Sequence, residues 1–172
     1  AIDTDPNNPE AWHLLALAAN SSGTLPVPLQ FVLKLIQLQP QEAQPHATLG
    51  SAYRLNGNLD DSLAAYERAL SLDPSLNEAI AGKAEVLESL GRTEEADALL
   101  QGAPPSNSVL VALAKSRIAR KLGKPAEAVN SLDELLSWQL SPYHKSNVLM
   151  HKGRALEELE QFDAAWEAWK EG

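Results

Sequence analysis

The sequence contains no cysteine, so disulfides, thiolate metal sites and cysteine nucleophiles are excluded. This absence leaves the compartment open, and the cytoplasm is only the default assignment. No run of apolar residues approaches the roughly eighteen needed to cross a bilayer, so we expect no membrane insertion. Aromatic residues are 5% of the chain, and the β-branched enrichment typical of sheets is missing. Abundant alanine and leucine favour an all-α protein instead.

Basic residues are also scarce relative to acidic ones. The chain has 14 Lys and Arg against 23 Asp and Glu, a formal net charge of −9. Surfaces that bind nucleic acid or anionic membranes normally carry a basic excess, so neither is an expected partner. One local exception is residues 109–123, which hold Lys115, Arg117, Arg120 and Lys121 and no acid. This segment is a candidate basic surface.

A period of 34 residues is present in the sequence. It appears in Gly23, Gly57 and Gly91 and again in Pro6, Pro40 and Pro74. Each glycine separates two segments of helical periodicity, where a helix end favours a left-handed residue, and each proline follows a helix that it helps to end. The repeating unit is therefore helix, tight turn, helix, loop.

The repeating unit resembles the tetratricopeptide family. In the second unit, the positions characteristic of that family are His46, Leu49, Gly50, Tyr53, Gly57, Ser62, Tyr66, Ala69 and Pro74, of which His46 departs from the usual tryptophan. The residues expected where the two helices of a unit cross are small, namely Ala16, Gly50, Ala84, Ser116 and Gly153 on the first helix and Ser62, Ala96, Ala128 and Ala165 on the second. The resemblance implies a right-handed α-solenoid of antiparallel helix pairs, the tetratricopeptide superhelix.

The repeats divide the chain into six segments. These are the end of a preceding repeat at 1–8 and five repeats at 9–42, 43–76, 77–108, 109–145 and 146–172. Pro104 and Pro105 shorten the second helix of the third repeat, which must stop near Gln101. A longer connection follows the fourth repeat, and the fifth is truncated. Because uncapped repeat faces are poorly soluble, we expect more protein on both sides or a homo-oligomer that covers the cut ends.

The resemblance also implies a concave groove lined by the first helix of each repeat. Its positions correspond here to the polar or charged residues His13, Asn20, Gln44, Ser51, Arg54, Glu78, Glu85, Glu88, Arg117, Arg120, Asn147 and Arg154 and to the apolar residues Leu110, Leu113 and Met150. This surface is acidic at the third repeat and basic at the fourth and fifth, so it predicts a partner with an acidic segment at the basic end. The alternative is a solvated basic helix balanced by Glu157 and Glu158.

Lysine replaces the usual leucine at one position of three successive repeats. These residues are Lys83, Lys115 and Lys152. We expect their aliphatic stems to pack while the ammonium groups reach the edge of the fold. A functional row of lysines is the alternative.

No motif for catalysis or for a metal or cofactor is present. The four histidines fall in different repeats or loops, and there is no glycine-rich phosphate loop or serine nucleophile elbow. We therefore predict a noncatalytic scaffold, without cofactor, that binds a protein or peptide in its groove. Two alternatives remain open. Residues 153–172 resemble the last repeat before the catalytic domain of bacterial repeat-containing sulfotransferases, which implies a regulatory or substrate-recruiting region of an enzyme, and the chain could instead be a self-association module.

Overall fold

A computed structural model describes residues 7–21 and 29–172, apart from the side chain of Asn20. Within them there are ten helices and no strand, which confirms the predicted all-α fold. The helices are α1 (Pro9–Ser21), α2 (Gln30–Leu38), α3 (Ala43–Leu55), α4 (Leu59–Leu72), α5 (Asn77–Ser89), α6 (Thr93–Gly102), α7 (Val109–Lys121), α8 (Pro125–Leu136), α9 (Pro142–Glu158) and α10 (Phe162–Glu171). Pro6 and Gly23 of the predicted period lie outside the described residues.

The helices form two compact units, the first ending at Gly91 and the second beginning at Arg92. In the first unit α3 contacts α1, α2, α4 and α5, and in the second α9 contacts α7, α8 and α10. Turns of about three residues join α3 to α4 and α7 to α8, so the helices of each pair run antiparallel. The first helices α3 and α5 lie side by side in one unit, and α7 and α9 do so in the other. Among the described residues, no helix is long and apolar enough to span a membrane.

The second unit contains the segment interrupted by prolines. Helix α6 ends at Gly102, because Pro104 and Pro105 cannot continue it. Helix α7 begins at Val109, and Ser108 caps it, since the Ser108 hydroxyl accepts a hydrogen bond from the Val111 amide. The division between the units lies at Gly91, ahead of this interruption.

Two helix crossings join a glycine on one helix to an aromatic ring on the other. Against Gly50 of α3 lies the ring of Tyr66, close enough that a Cβ on Gly50 would be 2.9 Å from three ring carbons. Ser62 of α4 donates a hydrogen bond of 2.7 Å to the Gly50 carbonyl at the same crossing. In the other unit a Cβ on Gly153 of α9 would overlap the Trp169 indole. The small residues predicted at these positions are all buried, from Ala16 and Ser62 to Ser116 and Ala165.

Four of the tight turns among the described residues contain one residue with positive φ. Glycine fills this position in three turns, as Gly57, Gly91 and Gly123 with φ of 80°, 75° and 72°. In the α9–α10 turn the same position holds Glu160, with φ of 59°. The backbone bonds are those of a Schellman motif there too, since the Gln161 amide donates to the Leu156 carbonyl at 2.9 Å. A left-handed glutamate is disfavoured by its Cβ, so this turn is strained.

Two of the three leucine-replacing lysines tie neighbouring helices together. Lys83 of α5 lies 3.0 Å from Glu67 of α4, and Lys152 of α9 lies 2.6 Å from Asp133 of α8. Their side chains are only 20% and 24% exposed, which confirms the prediction of packed stems with charges at the edge. Lys115 differs because it is exposed. The sequence position that holds the acid in the other two pairs is Gln101 in this case.

Replacing Gly153 by alanine tests the crossing of α9 and α10. The new Cβ would overlap the Trp169 indole, so we expect a loss of roughly 1–3 kcal/mol in the free energy of unfolding. Urea unfolding followed by circular dichroism measures this change. The matched control is Gly102→Ala at the end of α6, where a Cβ meets nothing within 4 Å. Equal stability of the two variants would contradict the assigned crossing.

Replacing Glu160 by glycine tests the strained turn. Glycine adopts positive φ without the Cβ penalty, so we expect the variant to gain roughly 1 kcal/mol and to unfold at higher urea concentration. The reciprocal variant, Gly123→Glu in the α7–α8 turn, should lose a similar amount. A fall in stability for Glu160→Gly would mean that its side chain contributes more than its backbone costs.

Candidate partner-binding surface

In the first unit, side chains at the predicted groove positions bond to each other. Gln44 of α3 donates from Nε2 to the Glu78 carboxylate of α5. About two to three turns further along the same helices, Arg54 Nε lies 3.5 Å from Glu85 Oε2, with both side chains about one third exposed. These contacts join α3 to α5 along the face where a partner was predicted. Much of that face is therefore already engaged within the unit.

The Tyr66 hydroxyl extends this network from the second helix of the pair. It lies 2.9 Å from Ser51 Oγ, so Ser51, another predicted groove residue, is engaged as well. Gly82 of α5 leaves room for the phenol, since a Cβ there would overlap the Tyr66 ring and hydroxyl. Burial of the ring raises the pKa of Tyr66 above its ordinary value. The sequence pattern placed Tyr66 at a position characteristic of the family but gave its hydroxyl no role, although Gly82 could have indicated space for it.

The remaining predicted residues of the first unit are His13, Asn20 and Glu88. His13 of α1 is half-buried and borders a shallow pocket with Pro9, Glu10, Leu14 and Gln39. Glu88 is half-buried on α5. Asn20 lies in α1, but its side chain is outside the described part of the chain. Of the predicted groove residues, the structure thus pairs Gln44 with Glu78 and Arg54 with Glu85, while Ser51 bonds to Tyr66.

The second unit presents apolar side chains at its groove positions. Leu110 of α7 is 49% exposed and Met150 of α9 is 42% exposed. Leu113 and Asn147 lie on the same two helices and are half-buried. Because α7 and α9 contact each other, we give the exposed side chains of Leu110 and Met150 one name, the α7–α9 apolar surface.

Basic side chains follow the apolar surface toward the C-terminal ends of the same helices. Arg154 is exposed, while Arg117 and Arg120 are half-buried. Arg120 Nε donates to Glu158 Oε1 at 3.1 Å, and Arg120 Nη2 donates to the same oxygen. For Arg120, the structure thus matches the alternative in which nearby acids balance the basic helix. From the sequence, Glu158 was expected only as an acid that could balance the basic helix, and it was not among the predicted groove residues.

No group of three or more histidine or acidic side chains within the described residues is arranged to hold a metal ion.

A model of the family described as tetratricopeptide repeat matches residues 43–76, the segment that contains the Gly50–Tyr66 crossing. Residues 43–76 are a tetratricopeptide repeat. Likeness to solved structures extends over nearly all of the chain. The protein pilF of Pseudomonas aeruginosa superposes with a TM-score of 0.79 at 18% identity, covering 97% of this chain and 75% of that chain. This likeness shows the fold of the tetratricopeptide repeat proteins.

Two further comparisons are with a solved structure and with the sequence of a curated protein. YrrB, described as a TPR protein with an unusual peptide-binding site, superposes with a TM-score of 0.61 at 18% identity, covering 99% of this chain and 87% of that chain. Anaphase-promoting complex subunit 3 of Schizosaccharomyces pombe is 26% identical in an alignment that covers 95% of this chain and 26% of that protein. The chain thus spans about a quarter of the length of this curated relative.

Replacing Tyr66 by phenylalanine tests the hydroxyl contact in the tetratricopeptide repeat. The variant keeps the ring against Gly50 but loses the bond to Ser51, so we expect the free energy of unfolding to fall by about 1 kcal/mol. Tyr53→Phe on the first helix of the same repeat is the control and should change stability little. Urea unfolding measures both, and an equal effect of the two changes would contradict the role of the Tyr66 hydroxyl.

The same variant has a pH signature. Burial raises the folded-state pKa of Tyr66, so the fold favours the neutral phenol. The resulting stability is present below about pH 10, the ordinary tyrosine value, and is lost as the pH rises through the folded pKa. The parent should therefore lose more stability than Tyr66→Phe between pH 9 and 11, roughly the range in which tyrosine ionises. Parallel pH profiles would contradict this linkage.

Proposed function

We propose that this chain is a noncatalytic scaffold that binds an extended segment of a partner protein along α7 and α9. The observation that carries this proposal is the α7–α9 apolar surface, with Leu110 and Met150 exposed at groove positions and Arg154 exposed beyond them. A surface that combines apolar contact area with arginine favours a segment with apolar and acidic side chains.

Helix geometry gives the spacing of that segment. Leu110 and Arg117 are separated by two helical turns, a rise of about 10 Å. An extended segment covers this length in about three residues. The favoured partner sequence therefore holds an apolar residue and an acidic residue about three positions apart.

The first unit is the weaker candidate for the same role. Its groove positions donate to and accept from one another, as in Gln44 with Glu78 and Ser51 with Tyr66. A partner would have to replace those bonds, and a replaced hydrogen bond contributes little net free energy. The sign change along a five-repeat groove stays a prediction.

The relatives support a binding role over a catalytic one. YrrB is described as having a peptide-binding site, and the fission yeast relative is a subunit of a complex. Fold alone does not name a partner, so the chemistry of the α7–α9 apolar surface decides the proposal. The resemblance of residues 153–172 to sulfotransferase repeats, the self-association module and covering of the cut ends by a homo-oligomer stay predictions.

Nuclear magnetic resonance of the single methionine tests the proposal directly. Met150 is the only methionine in the sequence, so methyl-labelled protein gives one methyl signal at the proposed site. We expect it to shift on addition of serine–glycine peptides in which a leucine precedes an aspartate by about three residues. Peptides with serine in place of leucine should shift it far less.

A substitution on α7 sharpens this test. Leu110→Ser removes apolar contact area and should weaken peptide binding about tenfold, equivalent to a loss near 1.4 kcal/mol. The control is Phe162→Ser on α10, which changes another exposed apolar side chain, on a helix outside the proposed surface. If no peptide shifts the Met150 methyl signal, or if both variants bind peptide as the parent does, the proposed site is wrong.

A further inference from the structure

A small polar pocket lies at the C-terminal ends of α7 and α9. Its lining residues are Arg117, Arg120, Lys121 and Glu158. Three of them are cationic, and Glu158 is the one acid among the four. The pocket is therefore built for an anionic group, and a side chain of the protein itself supplies one.

Within the pocket, only one oxygen of the Glu158 carboxylate contacts Arg120. Arg120 directs both Nε and Nη2 to the same oxygen, Glu158 Oε1. The Arg120 side chain is 17% exposed, whereas that of Glu158 is 39% exposed. The cation is thus held in the fold, while the carboxylate reaches it from the solvent side. Of the two partners, Glu158 is the one that an incoming group can displace.

Helix electrostatics also make Glu158 the replaceable partner. It is the last residue of α9, where the free carbonyl groups disfavour a negative side chain. Arg120 and Lys121 lie in the last turn of α7, where the same effect favours positive charge. The cations therefore stay in place without Glu158, but Glu158 depends on the cations.

We propose that this pocket is a carboxylate-binding site for an acidic side chain of the partner, and that Glu158 occupies it until the partner arrives. The inference rests on the proposed function and deepens it by assigning the acidic residue of the segment to the pocket that Arg117 and Arg120 line together. Glu158 is then an internal competitor that lowers affinity for acidic segments and leaves neutral ones unaffected.

Acetate, a bare carboxylate, tests the pocket without any peptide. In Glu158→Gln the internal competitor is neutral, so acetate should shift the Arg120 Nε–H resonance at about fivefold lower concentration than in the parent, as expected for one partly exposed ion pair. The matched control is Glu157→Gln, which makes the same charge change at the adjacent exposed residue of α9. In this control, the acetate concentration needed to shift the Arg120 Nε–H resonance should stay close to that of the parent.

Peptides extend the test to the complete site. Glu158→Gln should bind the leucine–aspartate peptide about fivefold more tightly than the parent does, with no gain for the peptide in which asparagine replaces aspartate. Arg120→Gln should remove the difference between these two peptides. Both experiments use the whole chain and the Met150 and Arg120 signals.

The outcomes separate the two proposals. Equal gains in Glu158→Gln and Glu157→Gln would overturn the competitor role, because they would reflect net charge alone. No gain in Glu158→Gln would overturn it as well. A Met150 signal that responds to no peptide would overturn the proposed function, while the acetate measurement would still decide whether the pocket takes a carboxylate and whether Glu158 competes for it.

Discussion

The close crossing of a glycine on one helix and an aromatic ring on the next is the contact on which the described surfaces depend. Gly50 admits the Tyr66 ring in the tetratricopeptide repeat, and Gly153 admits Trp169 in the second unit. Each crossing fixes the distance and rotation of a helix pair, because larger residues on both sides would force the helices apart. That rotation decides which residues of α3 and α9 face the core and which remain available for other contacts.

The same crossing gives the two units different surfaces. Tyr66 is long enough for its hydroxyl to pass the crossing and reach Ser51, and Gly82 leaves space for it on α5. The first unit therefore engages polar groups at its groove positions internally. In the second unit the exposed groove positions include Leu110 and Met150, whose apolar atoms cannot be satisfied in this way. A partner gains more from covering the second surface than from replacing bonds in the first.

The sequence predicted the features that follow from backbone period and side-chain volume. The period of 34 residues and the small residues such as Gly50 and Gly153 predicted helices and buried crossings, because both depend on local geometry. Ion pairs could not be predicted with the same certainty. Glu157 and Glu158 are adjacent at the end of α9, and the sequence does not decide which of them pairs with Arg120. The left-handed Glu160 was missed because positive φ is normally signalled by glycine.

The ion pairs of this chain differ in which helices they join. Lys83 with Glu67 and Lys152 with Asp133 each join a first helix to the second helix before it, so they stabilise the stacking of successive pairs. Arg120 with Glu158 joins two first helices, on the side where the predicted groove lies. A ligand carboxylate competes with this last kind of pair and not with the first. Stacking and ligand recognition can therefore both use charge in one fold, because the two sets of charges lie on different pairs of helices.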